Sequence, residues 1–107
     1  MLENVDGLCK LLAALPNETN VRISTNLGAL IRIKKLNGLA VLIPDDSVEP
    51  MNALVFKHSL LGNHKPSSRI VVRGGSGDDF KISSVTYDGK TLYIGSEAMT
   101  VWMENKS

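Results

Sequence analysis

The chain has 107 residues, 43% of them apolar, five aromatic and one a cysteine, with a net charge of +1. That length supports one hydrophobic core and a single domain over 1–107; a lone cysteine excludes an internal disulfide, and no apolar run reaches membrane-spanning length. Charge is segregated, −2 over residues 1–19, +5 over 20–73 and −2 over 74–107, so the middle of the chain is basic between mildly acidic ends.

Leu2, Val5, Leu8, Leu12 and Leu15 recur at helical spacing, widened by Cys9 and Leu11, and Pro16 ends the pattern. This predicts a helix over about residues 3–15, with Cys9 as a small buried apolar residue. Val21 and Ile23 then alternate with Arg22 and Ser24, and Ile31 and Ile33 with Arg32 and Lys34, which is the period of a strand. Asn37-Gly38 separates this run from Leu39–Ile43, as in a hairpin, because both turn residues tolerate positive φ. Leu39–Ile43 is apolar throughout and reads as a strand covered on both faces.

Residues 44–50 (PDDSVEP) form an acidic loop, and Ala53–Leu61 reads as a further strand with Leu54, Phe56, His58 and Leu60 on one side. A short strand over Arg69–Arg73 and a flexible GGSGDD connection over 74–79 follow. Phe80–Tyr87 and Lys90–Ile94 flank Asp88-Gly89, a second hairpin signal. In the tail, Thr100–Met103 reads as an edge strand. Without a visible crossover helix, the expected fold class is α+β: an N-terminal helix packed on a mostly antiparallel β-sheet, or a small open barrel, built from successive hairpins.

Chemical motifs are weak. The glycines of Arg73–Gly77 are followed by Asp78, Asp79 and a strand, whereas a phosphate cradle needs a following helix. His58 and His64 are the only histidines and lack ligand spacing with Cys9. The acidic clusters Asp45-Asp46-Glu49 and Asp78-Asp79 sit beside Pro and Gly, where Asp serves turns. No serine lies in a nucleophile elbow. Neither an enzyme nor a cofactor or metal is expected.

The basic middle carries the functional expectation. Arg32, Lys34, Lys35, Lys57, His58, Lys65, Arg69 and Arg73 are the binding candidates, and neighbouring strands would align Arg32 and Lys34 with Arg69 and Arg73 as one positive stripe. The expected function is that of a non-enzymatic protein-binding or regulatory module, adaptor-like or inhibitor-like, with a protein partner or a second copy of itself. Accessory proteins of phages and other mobile elements are often of this size and kind. The alternative is nucleic-acid binding through residues 22–73, against which the region's scarcity of aromatics counts. The acidic start, Met1–Asp6, is unlike a signal peptide and points to the cytoplasm, without membrane association.

Overall fold

The structure, a computed structural model, describes residues 3–24, 29–74 and 77–96. Helix α1 spans Val5–Ala13 and buries Val5, Leu8, Cys9 and Leu12, the stripe expected from the sequence. Asn4 caps it, its side chain accepting from the Gly7 amide at 2.9 Å, which satisfies one of the free N–H groups of the first turn. Strand β1 (Asn20–Ile23) follows, then β2 (Ile31–Leu36) and β3 (Leu39–Pro44), joined at Asn37-Gly38. Both turn residues have positive φ, 50° and 79°, as a type I′ hairpin requires.

Strand β4 is only Met51–Asn52, and it leads directly into helix α2, Ala53–Asn63. This overturns the expectation of a strand over Ala53–Leu61. The buried positions are Ala53, Phe56 and Leu60, which lie on one helical face, while Leu54 and Val55 are exposed. Asn52 caps the helix by accepting from the Val55 amide at 2.9 Å.

Strands β5 (Ile70–Arg73), β6 (Asp79–Tyr87) and β7 (Thr91–Ser96) complete the fold. The turn between β6 and β7 is centred one residue beyond the expected pair. Gly89 takes φ 96° as the first central residue, and the Asp88 carboxylate accepts from the Lys90 and Thr91 amides. The expected strand over Thr100–Met103 lies outside the described residues.

The seven strands form one mixed sheet in the order β2-β3-β5-β6-β7-β1-β4. Two pairings, β3 with β5 and β1 with β7, are parallel, so the sheet is not the simple run of hairpins the sequence suggested. The parallel β3–β5 pair needs a crossover, and α2 lies in that connection. Both helices pack on the inner face, where α1 and α2 meet Val21, Ile23, Ala40, Leu42, Ile70, Val72, Leu92 and Ile94 in one core. The N-terminus of α1 is tied to the β5 approach, since the Val5 and Asp6 amides donate to the Ser68 and Pro66 carbonyls.

β1 and β2 stand near opposite ends of the strand order although they are neighbours in the chain. They touch where Ile23 and Ala29 exchange both backbone hydrogen bonds, at 2.8 and 2.9 Å. The sheet therefore curls towards closure at that point, and beyond it β2 and β4 are edges with no further strand partner among the described residues. Among the described residues no helix is long and apolar enough to cross a membrane.

Candidate functional site

The strand register sets out the outer face of the β2–β3–β5–β6 half as cross-strand rows. One row is Lys34, Val41, Val71 and Lys81, each opposite the next. On one side of it, Arg32 lies opposite Ile43, and Arg73 opposite Asp79; continuing the parallel register by one residue brings Ile43 beside Arg73. On the other side, Leu36 lies opposite Leu39, whose neighbour on β5 by the same continuation is Arg69. The centre of this face is thus apolar and its margin cationic. Val41 and Val71 are buried, whereas Lys34, Lys81 and Arg69 are exposed.

Arg32, Lys34, Arg69 and Arg73 share this face, but β3 separates β2 from β5, so they flank its apolar residues and do not form the one stripe expected of neighbouring strands. The remaining candidates lie elsewhere. Lys35 alternates to the other side of β2, Lys57 and His58 ride on α2, and Lys65 is in the loop after it. Lys81 completes the charged margin and was missed because it belongs to the acidic C-terminal third. The short connection from Arg73 to Asp79 was the available signal: it makes β5 and β6 a hairpin, which puts Lys81 across from Val71.

Two of the cations are partly neutralised. Arg32 reaches Asp45 at 2.9 Å, and Arg73 grips both carboxylate oxygens of Asp79, at 3.0 and 3.4 Å. The Ser47 hydroxyl and amide, followed by Arg32, hold the Asp45 carboxyl below its ordinary value. Lys34, Arg69 and Lys81 have no ion pair among the described residues. The aromatic residues that β6 and β7 contribute, Phe80, Tyr87 and Tyr93, lie outside these rows, so this part of the sheet offers no stacking platform for bases.

A second feature is a cleft of about 730 Å³ between β2, the 45–50 loop, β4 and the last turns of α2. Ile31, Ile33 and Lys35 form one wall; Met51, Asn63 and His64 are opposite. His64, just after α2, is buried in this wall. It is 7% exposed, its Nδ1 meets no partner among the described residues, and burial, then Lys35, pushes its pKa down. Cys9 is buried in α1, and burial pushes its thiol pKa up, which leaves it protonated and unreactive. Among the described residues no three His, Cys, Asp or Glu side chains come together as a metal site would need.

Neither protein-family models, nor curated proteins, nor solved structures give a significant match to this chain.

Proposed function

We propose that this chain is a non-enzymatic protein-binding module of the cytoplasm that receives an acidic partner on the outer face of β2–β3–β5–β6. The observation that supports the reading is the set of exposed cations Lys34, Arg69 and Lys81 on this face, none of them in an ion pair among the described residues. Exposed, separate charges around the buried Val41–Val71 centre set the orientation and rate of encounter of an acidic partner. Repulsion between two such faces favours a different protein over a second copy. The absence of stacking aromatics from these rows favours protein over nucleic acid.

The test is co-purification of the tagged protein from its native host, beside a Lys34→Glu/Arg69→Glu/Lys81→Glu variant. The expected result is a stoichiometric acidic protein that the wild type retains and the variant loses, with both folded by circular dichroism. Recovery of nucleic acid in its place, with affinity falling steeply between 50 and 200 mM salt as phosphate contacts demand, would replace this reading with the nucleic-acid one. Equal retention by the variant would move the interface off this face.

A further inference from the structure

The two-residue turn at Asn37-Gly38 makes Leu36 and Leu39 a mutually hydrogen-bonded pair, and such pairs recur at every second residue. Lys34 and Arg32 therefore spend their backbone groups on β3. The same register reaches Leu30, whose carbonyl accepts from the Asp45 amide at 2.9 Å. The N–H and C=O groups of Ile31, Ile33 and Lys35 point the opposite way. Ala29, two residues earlier on that side, shows where they are aimed, because both its backbone groups bond to Ile23 of β1. Past Ala29 no β1 residue pairs with β2 among the described residues, and a cleft of about 730 Å³ lies beside Ile33 and Lys35, with Ile31 buried at its base and Glu49 on the loop side.

We infer that this seam is a strand-addition site, in which an extended acidic segment of a partner protein pairs at Ile33 and Lys35 with the edge of β2 that is unpaired among the described residues. The inference rests on the protein-binding reading and names its mode of docking. An added strand places alternate side chains beside Arg32 and Lys34 on the outer face and the others beside Ile33 and Lys35. Carboxylates suit the first set, and apolar groups with a carboxylate near Lys35 suit the second. A second copy of this chain fits badly. Antiparallel β2 against β2 with Ile33 facing Ile33 sets Arg32 directly opposite Lys34 of the other copy, twice, and like charges directly opposite destabilise a sheet. Lys34, which has no ion pair among the described residues, favours an acidic strand, while Arg32 is already held by Asp45.

The probe is a fluorescein-labelled hexapeptide alternating valine and glutamate, with a valine–lysine hexapeptide as control. Anisotropy titration is combined with amide hydrogen exchange of the full chain by NMR. Binding of the glutamate peptide at least tenfold tighter than the lysine peptide, with slowed exchange at Ile33 and Lys35, is the expected result. Lys35→Pro removes one outward N–H at an exposed edge position that tolerates proline, and should weaken binding tenfold or more. Methylating alternate backbone nitrogens of the peptide should do the same with the protein untouched, so a misfolded variant leaves the question decided. Binding without protection of those two amides overturns the strand-addition mode, while the native-host co-purification still stands as the separate test of protein binding. Equal affinity for the two peptides, no binding at millimolar peptide, or concentration-dependent protection of the same amides by the protein alone also overturns it.

Discussion

Truncation along α2 separates a helix from a strand over residues 53–61 by which side chains matter. In the helix, Phe56 and Leu60 are fully buried in the common core, whereas Leu54 and Val55 are 37% and 47% exposed. Replacing Leu60 with alanine removes buried methyl groups and leaves a cavity, a loss of about 2–5 kcal/mol; for Phe56 the figure is about 3–5 kcal/mol. Leu54→Ala removes little buried area and substitutes a better helix former, so its effect stays within about 0.5 kcal/mol. With a urea slope of about 1–3 kcal/mol per molar, Leu60→Ala lowers the midpoint by about 0.7 M or more, and Leu54→Ala moves it far less. Far-UV circular dichroism in urea reads both. On a strand with Leu54, Phe56, His58 and Leu60 sharing one face, Leu54 and Leu60 would cost alike. Equal midpoint shifts for those two variants would therefore refute the helix and the core built on it.

Loss of the cap in Asn52→Ala should cost about 1 kcal/mol, read in the same titration, because the Val55 amide loses its acceptor. Gly38→Ala should cost about 1–2 kcal/mol; an added Cβ meets nothing within 4 Å, so the penalty comes from the backbone at φ 79° alone. His64 gives the stability a slope on the acid side of neutrality. Its pKa is depressed in the folded state, so the unfolded chain binds the proton first as pH falls below about 6.5. Stability should be fully present above that pH and decline towards pH 5, measured as urea midpoints, and His64→Gln should flatten that window. Asp45 and Asp88, both depressed from 3.8, act at lower pH and leave it undisturbed.

Helix α1, both two-residue hairpins and the doubly covered strand β3 were legible because each is a local signal: a stripe, a turn dipeptide, an unbroken apolar run. α2 was hidden by its own composition. Leu54, Val55 and Leu61 place apolar groups on its exposed side, which fills the gaps in the helical stripe and leaves Leu54, Phe56, His58 and Leu60 looking like strand alternation. Asn52 as a capping residue was the readable clue. Missing α2 also concealed the crossover, and with it the parallel β3–β5 pair. The basic margin could be anticipated as residue types on strands, but its composition depended on register. Lys81 joins it through the pairing of β6 with β5, whereas alternation along β2 alone puts Lys35 on the other side.

β2 belongs to both proposed surfaces, and that overlap can be measured. A strand added at the edge of β2 extends the outer face by one strand, so its outward side chains come to lie beside Arg32 and Lys34, about 5 Å away. Lys81 lies three strands inward from β2, at about 14 Å by the same spacing. That exceeds the screening length of about 8 Å at physiological salt. Lys34→Glu should therefore weaken the valine–glutamate peptide several-fold, while Lys81→Glu changes it less than twofold. A whole partner that spreads from the seam across the face should lose affinity with either variant. If Lys81→Glu weakens the short peptide as much as Lys34→Glu, the peptide lies across the rows and not along the edge, and the hydrogen-bonding pattern deduced from the Asn37-Gly38 turn has no part in its capture.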